Sequence, residues 1–318
     1  MTDSKRFENS SLLSSLRGIK PALIEPCMSF DLLNLANVII SGVLTGLVYG
    51  LMALGLSVIF GVARVVNFAH GEMMTIAMYL TAALFAGLNL DPFLAVLPVA
   101  AVFLVFGYAL QAAVINPFVT RPDHSQFMLL LAIAVIMTNS LLIVFGPDAR
   151  SIRLDYLLES IELGPLLIDR GKLYAALVAF GTSMMLFGFF RFTRTGTAIR
   201  ACADNWLGAR VVGLDVKRFY ALAFGLGAAC VAVAGCMMSL LVDVTPALGP
   251  AYTLLAFVIV IVGGLGSMSG ALIGGVLIGV SEALAGLFIT PSAKSMFSFA
   301  LLILVLLIRP RGLVGNKS

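Results

Sequence analysis

Long uncharged runs recur along this sequence of 318 residues and indicate its structural class. One run extends from Leu32 to Ala63 and another from Val244 to Ser281, and neither contains a charged residue. A helix needs about 20 consecutive apolar residues to cross the hydrocarbon core of a bilayer. Hydrophobic residues make up 60% of the chain, charged residues only 11%, and the mean hydropathy is +1.07. The sequence therefore predicts an all-α, polytopic bundle of transmembrane helices.

The uncharged runs divide into candidate spans, which predict about eight or nine membrane segments. The first run is long enough for one tilted span, or for a span plus a short re-entrant piece. Two later runs are shorter than a full span, so each must extend into its flanks or stop part-way. The candidate spans are Leu32–Phe60, Met73–Leu90, Phe93–Ile115, Phe127–Phe145, Leu173–Phe190, Tyr220–Leu241, Tyr252–Val262, Ala271–Leu287 and Met296–Ile308.

Loop charge predicts the orientation, because Lys and Arg are enriched in cytoplasmic loops. Segment 191–218 carries six basic residues and two acids, whereas segment 147–172 carries four basic residues and five acids. We expect 191–218 and the basic C-terminus to be cytoplasmic, and 147–172 to be external, with a small hairpin around Gly164. Counting back along the spans places Gly61–Glu72 inside. The N-terminus then lies outside if the first run crosses once, and inside if it crosses twice.

The first thirty residues differ from the rest, since they are rich in serine and mixed in charge. They contain no apolar stretch followed by a small-residue cleavage site, so we do not expect a cleaved signal peptide. We interpret residues 1–30 as a soluble or interfacial extension and residues 31–315 as one membrane domain. The four cysteines form no secreted disulfide pattern, and no dense basic cluster with aromatic residues predicts nucleic-acid binding.

Polar residues beside the apolar runs are candidates for function. Glu282 lies in an apolar run, where a charge must face protein or water. It is either a path or gate residue, or a partner for backbone or hydroxyl groups near the outer interface. Asn67, His70 and Glu72 precede the second span. An imidazole and a carboxylate are able to relay protons or bind a metal, but two ligands are a weak metal signal, and an acid in the first turn of a helix favours simple helix initiation.

Glycines recur at four-residue spacing near the end of the chain. This spacing lays a smooth strip along a helix face, against which another helix can pack closely. The strip indicates either a translocation-path or gating helix, or ordinary tight packing. Segment Gly263–Ser267 also resembles a break between two helices, and broken helices often line transport sites. The glycines of the strip are Gly266, Gly270 and Gly274, and then Gly275 and Gly279.

The basic segment carries a pattern of its own. Cys202, Trp206, Ala209 and Val212 recur with helical spacing, and Gly213 ends the pattern as a helix C-cap would. One short amphipathic helix is predicted on the cytoplasmic face. Its small residues fit a partner's groove better than a lipid surface. The sequence contains no G-x-x-x-x-G-K-[ST], G-x-S-x-G or H-E-x-x-H motif, so neither a nucleotide site nor a catalytic set is predicted.

In this order, these features resemble the LivH-type permeases of the high-affinity branched-chain amino acid ABC importers. Val66–Glu72 resembles their I/V-N-F-A-H-G-E signature, and Arg200–Asp215 resembles their cytoplasmic coupling segment. The resemblance continues through Tyr220–Gly235, Gly263–Ser267 and Ser298–Gly312. It covers nearly everything from about Phe30 to Gly315, while the first thirty residues have no counterpart.

The resemblance implies a half-channel in the bacterial inner membrane, in contact with lipid. It would pair with a second permease, as a homodimer or heterodimer, with two cytoplasmic ATPases and with a periplasmic solute-binding protein. ATP would be used by the partner subunits, and this chain would hold no cofactor or metal. The resemblance implies ATPase coupling through Arg200, Ala201, Asp204, Ala209 and Gly213, and a solute path or gate at Asn67, His70, Glu72, Gly264, Gly266 and Glu282.

Three alternatives remain at this point. The signature is shared with the sister permease LivM and with urea and short-amide importers, so the solute is less secure than the fold. A stand-alone secondary transporter or channel predicts ion-coupling charges at the membrane midplane, where Glu282 is the only candidate. A membrane enzyme would need a catalytic set that the sequence does not display.

Overall fold

The architecture is almost entirely helical in the computed structural model of the chain. The structure describes residues 25–118, 123–157, 159–164, 166–288 and 294–314. Its helices are α1 (Glu25–Ala63), α2 (His70–Leu88), α3 (Pro92–Leu110), α4 (Asp123–Phe145), α5 (Arg170–Phe192), α6 (Arg194–Asp204), α7 (Trp206–Val211), α8 (Val216–Met238), α9 (Leu248–Gly263), α10 (Met268–Phe288) and α11 (Lys294–Ile308).

The spans confirm the predicted fold class. Among the described residues, seven helices are long and apolar enough to cross a membrane, and the shorter apolar helices Leu248–Gly263 and Met296–Ile308 add two partial segments. The first run forms the single helix α1, so it crosses once. This helix begins at Glu25, within the predicted N-terminal extension. Residues 1–24 of that extension lie outside the described residues.

Burial separates a central group of helices from a peripheral one. In the most apolar window of each helix, 83% of the α8 residues and 67% of the α1 residues are buried, against 22% in α3 and in α4. Large apolar side chains are exposed along α3 and α4. Lipid is as apolar as these side chains, so their exposure carries no penalty in a bilayer. Helices α1 and α8 therefore form the centre, and α3 and α4 lie at the periphery.

A β-hairpin precedes α5, as the pattern around Gly164 predicts. Strands β1 (Ser160–Leu163) and β2 (Leu166–Asp169) pair antiparallel, from Ser160 opposite Asp169 to Leu163 opposite Leu166. Gly164 has a φ of +64°, a conformation that glycine adopts readily. The Leu167 amide donates to Asn37 Oδ1 of α1 at 3.1 Å. The hairpin is therefore fixed to the N-terminal end of α1.

Helix α1 extends from the β-hairpin to the basic segment 191–218, so its length gives the distance between them. Near one end, Lys172 Nζ donates to Ser41 Oγ at 2.7 Å. Near the other end, Gly61 lines a cavity together with Arg200 and Asp204. Ser41 and Gly61 are twenty residues apart, which is about 30 Å along a helix and matches the thickness of a hydrocarbon core. The acid-rich hairpin and the basic segment thus lie at opposite ends of the bundle.

Glycines pack α10 against α1 with backbone touching backbone. A Cβ at Gly46 would lie 2.7 Å from Val276 Cα, and one at Gly42 would lie 2.8 Å from Val280 Cα. A Cβ at Gly275 would overlap the backbone of Gly50, and one at Gly279 would lie 2.6 Å from Gly46 N. Half of the predicted strip therefore packs tightly on a matching strip of α1.

The other half of the strip packs against α9. A Cβ at Gly274 would lie 2.6 Å from Ile259 O, and Gly270 and Gly263 leave each other no space for a side chain. Helix α9 ends at Gly263 and α10 begins at Met268, which confirms the predicted break. Glycine contacts therefore pack α10 against α1 on one face and against α9 on another.

Orientation is testable with engineered cysteines, because the described native cysteines Cys202, Cys230 and Cys236 are buried. Burial, followed by the nearby Asp215 carboxylate, raises the pKa of the Cys202 thiol, so Cys202 is itself a poor reporter. We expect a membrane-impermeant maleimide to label Glu162→Cys in intact cells of a Cys27→Ser background. Val212→Cys should be labelled only after permeabilisation. Labelling of Val212→Cys in intact cells would reverse the orientation.

The glycine contacts predict unequal tolerance to one added methyl group. Gly275→Ala should lower the free energy of unfolding by about 1–3 kcal/mol, because the new Cβ overlaps Gly50. Gly181→Ala is the matched control, since no atom lies within 4 Å of a Cβ at that helical glycine. Thermal unfolding of the purified protein in detergent measures both variants. Equal melting temperatures for the two would show that the close contact has no energetic importance.

Candidate translocation path

The signature Val66–Glu72 is buried inside the bundle. Asn67 and His70 are fully buried and Glu72 is almost so. Asn67 Oδ1 accepts from the Ala69 amide at 3.1 Å, which turns the chain into α2. Helix α2 begins at His70 and Glu72 lies in its first turn, as the helix-initiation interpretation predicts.

His70 shows that this segment does not form a loop at the cytoplasmic surface. Its Nε2 lies 2.9 Å from Met52 O. Met52 is nine residues from Gly61, which is about 13 Å further into the membrane along α1. The expectation that all of Gly61–Glu72 lies inside the cell is therefore wrong for its second half. The residues after Arg64 are uncharged and extended, and they turn back into the bundle.

The two titratable groups of the signature point to different helices. Because a carbonyl only accepts, His70 Nε2 carries a proton and donates to Met52 O of α1. Glu72 Oε2 accepts instead from Thr253 Oγ1 of α9 at 3.0 Å. No group of three or more His, Cys, Asp or Glu side chains is arranged to hold a metal ion among the described residues.

Thr253 joins the start of α2 to α9. Its hydroxyl accepts from the Gly71 amide at 2.9 Å and lies within hydrogen-bond distance of both Glu72 Oε2 and Phe68 O. A Cβ at Gly71 would overlap the carbonyl oxygen of Gly249, so only glycine permits this approach. Sequence reasoning overlooked Thr253, although it is the only polar residue besides Tyr252 in its predicted span.

An inner cavity lies at the end of α1 next to the basic segment, which is predicted to be cytoplasmic. Its volume is about 510 Å³. Gly266 faces Gly61 there, with 3.4 Å between its Cα and a Cβ built at Gly61. Two predicted sets of residues meet in this cavity, because its lining includes Ser57, Gly61, Gly266, Arg200, Ala201 and Asp204.

Residues near the C-terminus stabilise the glycine break between α9 and α10, which lies beside this cavity. Gly264 and Gly266 have φ values of +110° and +79°, which favour glycine. The C-terminal residues fold back so that Leu313 N donates to Val262 O and Val314 N donates to Gly263 O, at 2.9 and 3.0 Å. These bonds satisfy carbonyls that the end of α9 would otherwise leave unpaired.

An outer cavity of about 540 Å³ lies at the other end of α1. Glu282 of α10, Tyr49 of α1 and Lys172 of α5 are in its lining. The Glu282 carboxylate accepts a hydrogen bond from Ser298 Oγ at 2.8 Å. Glu282 therefore combines the two predicted environments: it lines a cavity and it binds a hydroxyl group. Tyr49 and Lys172 were not predicted, since neither stands out within its segment.

The two cavities are separated by a closed section of α1. Leu51, Met52, Ala53 and Leu54 are fully buried between Tyr49 at the outer cavity and Ser57 at the inner one. Helix α10 accompanies α1 along the whole distance and lines both cavities, through Glu282 outside and Met268 inside. This arrangement places a fully buried section of α1 between the two cavities.

The basic segment forms two helices where one was predicted. Helix α6 ends at Asp204 and α7 begins at Trp206, because Asn205 caps α7 by accepting from the Gly208 amide at 2.8 Å. The break turns Ala209, which is 4% exposed, into a small buried cluster with Cys202 and Val216. Gly213 follows with a φ of +87°.

A small apolar surface is left exposed beyond this break. Its residues lie outside the predicted spans, and Arg200 and Asp204 are exposed beside it. Exposed apolar patches outside the membrane mark sites of protein contact. We call this surface the cytoplasmic apolar patch, formed by Trp206, Leu207, Val211 and Val212.

Comparison with known proteins identifies the family. The sequence profile of the branched-chain amino acid transport system permease component matches residues 38–306. The chain belongs to this permease family. It is therefore a multi-pass inner membrane protein of a transport system, and its relatives are transport permeases rather than enzymes.

Individual relatives agree with the family profile. The permease protein LivH of Salmonella typhimurium is 30% identical over 312 residues, which are 92% of this chain and 99% of the relative. BraD of Pseudomonas aeruginosa is 29% identical over 88% of this chain and 95% of its own. Both are named as permeases of high-affinity branched-chain amino acid transport. The PsaBC complex of Streptococcus pneumoniae aligns with a TM-score of 0.46 and 13% identity, over 87% of this chain and 92% of that one.

The Thr253 hydroxyl is expected to stabilise this permease. Thr253→Val keeps the shape but removes the partner of the Gly71 amide and of Glu72, so the free energy of unfolding should fall by about 1–3 kcal/mol. Thr182→Val is the control, because the Thr182 hydroxyl bonds only the Val178 carbonyl of its own helix. Thermal unfolding measures both variants. A Thr182→Val variant that loses as much stability as Thr253→Val would remove the special role of the α2–α9 contact.

Proposed function

We propose that the chain is the permease subunit of an ATP-driven importer for branched-chain or closely related amino acids. The observation that carries this proposal is the pair of cavities at opposite ends of α1 and α10, separated by fully buried residues. Such a barrier fits alternating access, in which one cavity opens as the other closes. The family membership and the names of the relatives, which are permeases of branched-chain amino acid transport, support the choice of solute.

The proposed assembly contains a second permease, two cytoplasmic ATPases and a periplasmic solute-binding protein. The sequence has no phosphate-binding loop of its own, so the partners would bind and hydrolyse ATP. The cytoplasmic apolar patch, Trp206, Leu207, Val211 and Val212, is the surface we assign to ATPase docking. It is adjacent to Arg200, Ala201 and Asp204, which also line the inner cavity. Movement of the docked ATPase would therefore reach the inner cavity directly.

Asn67, His70 and Glu72 take a supporting role in this proposal. All three are buried, and their side chains form hydrogen bonds with Ala69, Met73, Met52 and Thr253. Neither cavity includes them in its lining. We therefore propose Gly266 and Glu282, together with Tyr49 and Ser57, as residues of the path. The signature would hold α1, α2 and α9 together behind it.

A stand-alone secondary transporter is the second candidate, and Glu282 is the observation that favours it. A carboxylate at a cavity is able to bind a coupling ion. Purified permease in liposomes tests this candidate directly. We expect the isolated chain to accumulate no leucine under a proton or sodium gradient, whereas the complete complex accumulates it with ATP. Gradient-driven accumulation by the isolated chain would replace the ABC proposal.

The docking assignment predicts opposite consequences for two neighbouring residues. Val211 is 82% exposed, so Val211→Glu should leave membrane insertion and melting temperature unchanged while it lowers co-purification of the ATPase and ATP-dependent uptake. Ala209→Glu would bury a carboxylate in the cluster with Cys202 and Val216, and it should destabilise the segment itself. Affinity co-purification and uptake in proteoliposomes measure these effects.

The control for this experiment is Leu167→Glu. Leu167 is 56% exposed, but it lies on the hairpin at the opposite end of the bundle. This variant should bind the ATPase as the wild type does. Normal ATPase binding by Val211→Glu would move the docking surface away from the cytoplasmic apolar patch.

A further inference from the structure

We infer that the outer cavity is a binding site for the charged ends of an amino acid zwitterion, with Lys172 facing the carboxylate and Glu282 facing the ammonium group. This inference rests on the proposed function and names what the path recognises. It also separates two members of the broader resemblance, because urea and short amides carry no charge.

The two side chains stand on either side of the same turn of α1. Lys172 Nζ is held by Ser41 Oγ at 2.7 Å. The next residue, Gly42, touches α10, where a Cβ on Gly42 would lie 2.9 Å from Ala283 Cβ. Glu282 immediately precedes Ala283. Lys172 and Glu282 thus both line one cavity, close to the Ser41–Gly42 turn of α1.

Both groups are held in place by hydrogen bonds within the described part of the chain. A hydrogen bond from Ser298 Oγ orients the Glu282 carboxylate, and Tyr49 lies in the same cavity lining. Lys172 is in the first turn of α5, whose start is fixed because its amide donates to the capping Asp169 Oδ1 at 3.0 Å. Asp169 also lines the cavity, and its Oδ1 is the atom that accepts this capping hydrogen bond. Lys172 and Glu282 therefore place a fixed basic and a fixed acidic side chain in the lining of one cavity.

The remaining lining fits the rest of such a solute. A volume of about 540 Å³ lies within the range of about 300–1,000 Å³ that is usual for small-molecule sites. Polar groups of α1 continue the charged side of the cavity, whereas aliphatic side chains supply an apolar side for a branched hydrocarbon. The polar residues are Asn37, Ser41 and Thr45, and the aliphatic ones are Val38, Ile40, Leu44 and Leu287.

The alternative for these residues is a purely structural role. In that case Lys172 would only tie α5 to α1, and Glu282 would only tie α10 to α1 and α11. A structural role predicts that their replacement lowers stability without changing which solutes bind. Solute protection of a cysteine in the cavity separates the two roles, because it reports occupancy and does not require transport.

The experiment uses the assembled complex of permeases and ATPases, without the binding protein, in a Cys27→Ser background. Thr45→Cys in the cavity is labelled by a maleimide in the presence of leucine, 4-methylpentanoate, 3-methylbutylamine or acetamide. We expect leucine to slow labelling, and each compound that lacks a charged group to require at least about tenfold higher concentration for the same effect. Leu44→Cys repeats the test at a second lining residue in case Thr45→Cys does not assemble.

Charge variants assign the roles of the two residues. Glu282→Gln should abolish the preference for leucine over 4-methylpentanoate, and Lys172→Met should abolish the preference for leucine over 3-methylbutylamine. Glu162→Gln, in the hairpin but outside the cavity lining, should retain both preferences. Preferences that persist in Glu282→Gln and Lys172→Met would overturn the assignment, as would equal protection by acetamide and leucine in the parent protein.

Uptake by the complete importer shows whether a negative result contradicts only the zwitterion site or also the proposed importer function. ATP-dependent leucine uptake without any protection of the cavity cysteine would overturn the zwitterion site and leave the importer function intact. ATP-dependent uptake of urea or acetamide in place of leucine would overturn the proposed solute and the zwitterion site together.

Discussion

The backbone contact between α1 and α10 is the constraint on which the rest of the structure depends. At Gly46 and Gly275 the two helices approach so closely that neither has room for a Cβ. Within a bilayer there is little hydrophobic driving force between helices, so close packing has to supply the attraction. Glycine makes that packing possible because its backbone can be approached directly. The contact fixes the seam along which both cavities open.

A second constraint follows from the scarcity of water in a bilayer. Every buried polar group in the bundle needs a partner from the protein, since an unpaired one costs several kcal/mol. The start of α2 meets this requirement through Thr253, which serves the Gly71 amide and Glu72. The broken end of α9 meets it through the C-terminal residues, whose amides bond Val262 O and Gly263 O. Irregular backbone is thus confined to places where other parts of the chain complete its hydrogen bonds.

Much of this arrangement was accessible from the sequence, because it depends on composition and local spacing. Uncharged runs define the spans, glycine spacing gives the packed faces of α10, and the Gly263–Ser267 break is a local feature of the chain. The strip Gly42, Gly46 and Gly50 carries the same four-residue signal, and it was the partner that the α10 strip required. Span length and charge also placed the hairpin and the basic segment at opposite ends.

The features that were missed depend on contacts distant in sequence or on side-chain direction. Thr253 acquires its role from Glu72, 181 residues away, and no local pattern gives that distance. Cys202, Trp206 and Ala209 do lie in helices, but the cap at Asn205 divides the predicted single helix into two. Trp206 therefore becomes exposed while Ala209 is buried, although an unbroken helix would place both on one face. A single polar cap thus changed which residues are available to a partner.

The position of the barrier indicates why motion must be imposed from outside the membrane domain. Between the cavities, Leu51–Leu54 present only apolar side chains and are fully enclosed. A small zwitterion gains nothing from such a surface, so solute binding alone does not favour opening it. To open a path between the cavities, α1 has to separate from a neighbouring helix. Its contact with α10 is too close to allow small adjustments. A lever at the cytoplasmic end, where Gly61 meets Gly266 beside Arg200 and Asp204, can act on both helices at once. In the proposed importer, force applied at this end would reach the buried section Leu51–Leu54 through α1.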